Sequence, residues 1–226
     1  MLNVYNFSMK SLFITFEGTE GCGKSTQIEL LAQRLRALGH RVRTLREPGG
    51  TPIGEEIRHT LKHSKANVTM TYEAELLLMN ASRAQLVRET IRPALAVGEI
   101  VVCDRFYDST TAYQGYGRGL DLALVKGVID FAIGDTRPDL TLLLHVSPEV
   151  SAERQHSRQS TLPFVVRDRL EEGDRHFFAR VAQGYDAIAA AEPGRVHVVD
   201  ATAAVEVVCE NIWEEVRPNL PRVGRW

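Results

Sequence analysis

Cysteine is scarce in this chain. Only Cys22, Cys103 and Cys209 occur in 226 residues, far apart, with no CxxC pair and no cysteine–histidine cluster. Those spacings exclude a disulfide framework and a structural zinc site, and they fit a reducing cytoplasm. Charge of one sign is lacking too. The formal net charge is −2, which argues against a broad basic surface and so against a nucleic-acid partner. No apolar run approaches the length of a membrane span, and no long apolar core follows a basic start, so neither a membrane anchor nor a signal peptide is expected. Repeats and low-complexity tracts are absent. What is present is ordinary for a folded protein: 44% hydrophobic and 25% charged residues, enough to bury a substantial core.

Against that plain background, residues 18–25 read Gly18-Thr-Glu-Gly-Cys-Gly-Lys24-Ser25. This is the phosphate-loop spacing G-x-x-x-x-G-K-[ST]. Backbone N–H groups must wrap a polyphosphate, and glycines keep side chains out of the way. Lys24 then reaches the β- and γ-phosphates, and the Ser25 hydroxyl can ligate Mg²⁺. The flanks agree. Leu12–Phe16 is an apolar run of strand length, and Ile28, Leu31, Leu35 and Leu38 follow at helical spacing, with Gly39 as a stop. A dinucleotide fingerprint does not fit, because the glycines run G-x-x-G-x-G and Lys-Ser follows directly.

Along the chain, apolar runs alternate with helical patterns. Strands are expected at 12–17, 41–45, 99–104, 140–146 and 195–199. Helices are expected at 24–38, 53–62, 72–97, 120–133, 148–158, 169–190 and 203–216. Such alternation predicts an α/β fold, a five-stranded parallel sheet covered by helices on both faces. Pro93 should break or kink the long third helix near Arg92. Ser147-Pro148 reads as a helix start, and Asp168 with Glu171 as a capping box. Residues 1–10 are expected to be a flexible extension, with Met9 a second possible start. Residues 11–216 are expected to form one phosphate-loop domain, with a lid at about 152–170 and a loosely held tail at 217–226.

Four further segments carry chemistry. Asp104 ends the third strand, where an acid beside a phosphate loop can hold Mg²⁺ or its waters, and Arg105 follows where it could clamp a phosphate. Arg46-Glu-Pro-Gly-Gly50 follows the second strand and reads either as part of a ligand crevice or as a plain turn. Segment 152–175 holds Arg154, Arg158, Arg167, Arg169 and Arg175. It reads as an arginine-rich lid over a transferring phosphate, or as a solvated charged loop. Gln114-Gly-Tyr-Gly-Arg118-Gly reads only as a flexible polar turn.

Taken together, Glu17–Thr26, Arg46–Gly50, Ser82-Arg83, Asp104-Arg105, Ala112-Tyr-Gln-Gly115 and Asp168-Arg169 resemble thymidylate kinase, over about Leu12 to Trp213. The resemblance implies a nucleoside monophosphate kinase fold and the transfer of the γ-phosphoryl of ATP to dTMP with Mg²⁺, serving dTTP synthesis in the cytoplasm, by a homodimer joined through helices. It implies that Gly18, Glu20, Gly21, Cys22, Gly23, Lys24, Ser25 and Thr26 form the ATP loop. Glu20 would also meet the sugar 3′-hydroxyl. Arg58 and Arg105 would hold the monophosphate, Arg83 and Gln114 would read the thymine edge, and Ser109 and Tyr113 would share the substrate side. Ser25, Asp104 and Glu47 would lie near the metal, Glu47 also beside the substrate.

Gly21 stands where the eukaryotic type carries arginine. The chain is thus similar to the bacterial type, in which lid arginines supply that charge, here Arg154, Arg158 and Arg169. Two departures stand out. Met79 occupies the place of a base-stacking phenylalanine, and extra residues around Ser160–Val166 separate the lid arginines. A nucleotide-dependent switch, an inactive binding paralogue and another nucleoside monophosphate kinase are the competing readings. No Asn-Lys-x-Asp motif supports the first, and intact Lys24, Ser25, Asp104 and Arg105 oppose the second.

Overall fold

In the computed structural model, residues 11–147, 149–151, 153–154 and 175–221 are described. The five expected strands form: β1 (Leu12–Glu17), β2 (Val42–Arg46), β3 (Ile100–Asp104), β4 (Leu140–His145) and β5 (Val196–Asp200). They pair in parallel in the order β2-β3-β1-β4-β5. From β1 the chain goes to the outer side of β3, and from β3 it returns past β1 to β4. The two directions diverge at the carboxyl ends of β1 and β3, where a ligand crevice opens in such sheets. Register delivers the chemistry there, since Phe16 and Arg46 both lie opposite Asp104.

Strand alternation divides the core. Leu12, Ile14 and Phe16 point to one face, against Ile28, Leu31 and Leu35 of α1 (Lys24–Ala37). Phe13 points to the other face, against Leu76 and Leu86 of α3 (Tyr72–Leu86) and Ile129 and Ile133 of α6 (Leu122–Ile133). Each such side chain contributes about 1.5–3 kcal/mol on full burial. Leu38, the last residue of the expected α1 stripe, instead caps the helix and is 49% exposed. The second face also holds a polar layer. Arg195 donates to both Asp108 oxygens, at 2.8 and 2.9 Å, and to Thr141 Oγ1 at 2.6 Å, and Thr141 meets Thr15 at 2.7 Å.

Helix ends follow local chemistry. Thr51 caps α2 (Pro52–Lys62) by accepting from Gly54 N, and Asp121 caps α6 by accepting from Leu124 N. Ser147 Oγ accepts from Val150 N at 3.3 Å, as a helix start there requires. The break expected near Arg92 takes the form of a π turn, Val87–Ile91, before α4 (Arg92–Ala96). Pro93 supplies no N–H, and a widened turn absorbs the misfit without ending the helix.

Two expectations are corrected. The segment read as a flexible polar turn is helical: α5 (Tyr107–Thr110) runs into a π turn, Thr111–Gly117, in which Tyr113, Gln114 and Gly115 are buried. The cause is tertiary, because α7 (Arg175–Ala191) lies directly on it. The tail is not loose over its first residues. Arg217–Asn219 form a 3₁₀ turn after α8 (Val205–Val216), and Leu220 packs on the first core. The expected extension at 1–10, the capping box Asp168/Glu171 and residues 222–226 lie outside the described residues, as do Arg158, Arg167 and Arg169.

Candidate active site

The loop between β1 and α1 owes its path to glycine. Gly18 has φ +135°, and a Cβ there would stand 2.4 Å from the Leu144 carbonyl oxygen. No side chain fits at that distance. Gly23, at φ +95°, turns the chain into α1. Lys24 is buried, and its Nζ donates to the carbonyls of Gly18 at 3.1 Å and Thr19 at 3.0 Å. Cys22 packs into the first core, with its Sγ 3.5 Å from that ammonium. Ser25 and Thr26 are exposed on the first turn of α1. Ser25 Oγ donates to Asp104 Oδ2 at 3.4 Å, joining loop and β3.

Arg105 follows at once in a left-handed conformation, φ +67°, which is strained for a residue with a side chain. Its guanidinium reaches Glu20, Ser109, Tyr113 and Tyr185. Burial opposes the Arg105 charge, yet Tyr113, Glu20, Tyr185 and Glu17 raise its pKa well above the ordinary value. Burial likewise pushes Glu20 up, but Arg105, Lys24 and Lys62 outweigh it and hold the carboxyl at about 2. Glu17, fully buried at the end of β1, accepts from Phe106 N at 2.8 Å, Ser109 Oγ at 2.6 Å and Tyr185 Oη at 2.9 Å. Burial and then Asp108 raise its pKa. This buried carboxylate is what ties the Arg105 turn and α7 to the phosphate loop.

Beside Arg105 opens a cleft lined by residues of several elements. Glu20, Arg105, Ser109 and Tyr113 line one part, and Glu47, Met79, Arg83 and Gln114 another. Arg83 is only 2% exposed. Its Nε donates to Glu47 Oε2 at 2.8 Å, its Nη1 to Asn80 Oδ1 and Thr110 Oγ1 at 2.9 and 3.0 Å, and its Nη2 to the Phe106 carbonyl at 3.2 Å. Glu47 therefore faces Arg83, not the Ser25–Asp104 pair. Burial raises Glu47 to about 7, more than Arg83 can lower it, and its Oε1 has no partner among the described residues. The Glu47–Pro48 peptide is cis.

The phosphate loop and the cleft beside it share one arginine, since Arg105 reaches Glu20 of the loop and also lines the cleft. The family model for thymidylate kinase matches residues 16–212. The chain belongs to the thymidylate kinase family. Among curated relatives of that name, one from Syntrophotalea carbinolica is 49% identical over 203 residues, covering 90% of this chain and 94% of its own. One from Thermomicrobium roseum is 47% identical over 215 residues, covering 95% and 99%. The crystal structure of a thymidylate kinase from Ehrlichia chaffeensis superposes with a TM-score of 0.73 at 33% identity, over 91% of this chain and 98% of that one.

Of the residues expected on the substrate side, Arg58 falls outside the cleft lining, as do the lid residue Arg154, the phosphate-loop residues other than Glu20, and Asp104. Arg58, on α2, donates from Nη1 to the carbonyl of Pro48, which lines the cleft, at 2.8 Å. Arg154 donates weakly to the Thr202 carbonyl at 3.4 Å. Four lining residues were not expected from the sequence: Pro48, Lys62, Phe106 and Thr110. Lys62 had a signal, since it lies one turn after Arg58 and shares its helix face. Phe106, next to Arg105, is buried and meets Phe13 edge-on at 5.1 Å between centroids, so it reads as core until the fold brings its ring to the cleft. Met79 lines the cleft and presents a flexible thioether there.

Proposed function

We infer that this protein transfers the γ-phosphoryl group of ATP to dTMP, yielding ADP and dTDP. The observation that carries the reading is Arg105: one guanidinium touches Glu20 of the phosphate loop and also lines the cleft beside it. A monophosphate held there would face the end of the loop. Loop N–H groups and Lys24 would bind the ATP phosphates, Lys24 leaving the Gly18 and Thr19 carbonyls for the β- and γ-phosphates. The acceptor is a phosphate dianion, so no strong general base is needed. Its oxygen attacks the γ-phosphorus in line while the bond to the ADP oxygen breaks. Positioning and charge neutralisation supply the acceleration. Arg105 would hold the acceptor, and Arg154, Arg158 and Arg169 would add charge to the transferring group.

The Ser25 hydroxyl and the partly exposed Asp104 carboxylate suit Mg²⁺. They are hard oxygen donors 3.4 Å apart, and both are at least partly exposed to solvent. Ser25 and Asp104 would hold Mg²⁺, which would supply neutralisation of the charge that develops on the transferring group. Glu20, held ionised by its cationic neighbours, is ready to accept from a sugar hydroxyl. Met79, Arg83 and Gln114 would take the base. The same reading places the enzyme in the cytoplasm as a homodimer. No described helix is long and apolar enough to cross a membrane, and Leu77, Leu124 and Phe131 leave α3 and α6 apolar and exposed.

ADP release measured separately with dTMP, dUMP, UMP and dGMP tests the reading. Turnover should depend on the acceptor and favour dTMP. Nucleotide hydrolysis at full rate without any acceptor would replace the kinase by a switch.

A further inference from the structure

Gln114 is 1% exposed, and its amide is not free to turn. Its Nε2 donates to Glu75 Oε1 at 2.8 Å. Glu75 is fully buried on α3 and is gripped by Arg118, with Nε to Oε1 and Nη2 to Oε2 both at 3.2 Å. Arg118 is itself fixed over the rings of Tyr72 and Phe177, at 5.0 and 4.5 Å. A carboxylate paired with a guanidinium only accepts hydrogen bonds. A flipped Gln114 would set its carbonyl oxygen against that carboxylate. The flip is closed off, so the carbonyl oxygen is the amide atom kept away from Glu75, and Gln114 lines the cleft.

We propose that Glu75 is a positioning residue for base selection. By fixing the Gln114 amide, it makes the base end of the cleft an acceptor for a ring N3–H. Thymine and uracil carry that donor; cytosine carries a lone pair at the same atom and is repelled. A site built around a hydrogen bond discriminates strongly, because the mismatched ligand leaves a buried polar group unpaired. The inference rests on the dTMP reading and concerns the N3 edge alone, so dTMP and dUMP are treated alike.

The test is calorimetric binding of dTMP, dUMP and dCMP to the native protein, Glu75→Gln, Gln114→Ala and the double variant. Glu75→Gln should narrow the preference for dTMP over dCMP by about tenfold, the equivalent of one such hydrogen bond. The dTMP to dUMP ratio should hold. With Gln114→Ala already present, Glu75→Gln should narrow nothing further. A merely structural Glu75 would weaken all three nucleotides in proportion, or would act equally with Gln114 absent, and either result overturns the proposal. Glu75→Gln leaves Arg118 buried without its counter-charge, so Glu75→Gln with Arg118→Gln, which removes both charges, is measured beside it with the same expectation. Gln114→Ala breaks no ion pair and must itself narrow the preference; if it does not, the proposal falls. Failure of the native protein to release ADP with dTMP would instead sink the functional reading.

Discussion

The ammonium of Lys24 hydrogen-bonds only to the phosphate loop among the described residues, to Gly18, Thr19 and Cys22. Its removal should therefore cost chemistry and spare the fold. Lys24→Ala should lower dTMP-dependent ADP release by roughly 10²–10³-fold, the usual effect of deleting one donor aimed at transition-state charge. Its melting temperature should stay close to native, and near-normal turnover in the folded variant would remove Lys24 from the mechanism. Met79→Phe asks a finer question. If Met79 flanks the base, a ring there adds roughly 0.5–1.5 kcal/mol of stacking, a few-fold in dTMP affinity by calorimetry. A large loss would mean that the cleft has closed around the thioether. Glu20 gives a pH signature. Its carboxyl is held at about 2 in the fold against an ordinary 4.5. The unfolded chain takes up the proton first, so this stabilisation is complete above about 4.5 and is lost as pH falls through about 2. Thermal melts from pH 5 to 2 should show native stability falling more steeply than that of Glu20→Gln.

Elements were legible where their own residues decide them. β1, β3 and β4 are continuous apolar runs because helices cover both faces, and α1 shows its stripe because one side meets the sheet. The phosphate loop was legible because glycine spacing is its mechanism. The Thr111–Gly117 turn was not, because its burial is imposed by α7, some sixty residues later. Glycines that read as flexibility serve close approach: a Cβ on Gly117 would stand 2.7 and 2.8 Å from Phe177 and Val181 of α7, and across that contact one on Gly184 would stand 2.9 Å from Cβ and the ring of Tyr116. The Arg83–Glu47 pair was hidden for the same reason, as each partner reads alone as a ligand group until the fold buries both. Gly184→Ala tests this packing. It should destabilise by roughly 1–3 kcal/mol through overpacking, read as a lower melting temperature. dTMP affinity should fall with it, because Tyr113 and Gln114 ride on the displaced turn. An unchanged melting temperature would show that α7 and the turn separate easily.

At the scale of the whole molecule, α3 serves two surfaces. Met79 and Arg83 face the cleft, while Leu77 is 59% exposed on the outside. α3 packs against α6, where Leu124 and Phe131, seven residues apart and on one helical face, are 55% and 84% exposed. Single exposed apolar residues need no explanation, but three on two neighbouring helices favour a second copy as their cover. Burying Phe131 in such an interface would contribute about 1.5–3 kcal/mol, and a charge there would cost more than that. Phe131→Glu should therefore sediment as a monomer at micromolar concentration, where the native protein is expected to sediment as a dimer. Val68→Glu is the control, equally exposed at 81% but on the Lys65–Thr69 turn, and should leave the dimer intact. Since α3 also carries Met79 and Arg83, freeing its outer face should raise the KM for dTMP more than that for ATP. A native protein that sediments as a monomer would end the dimer reading, and an unchanged KM in monomeric Phe131→Glu would show that α3 holds the base site without help from a partner.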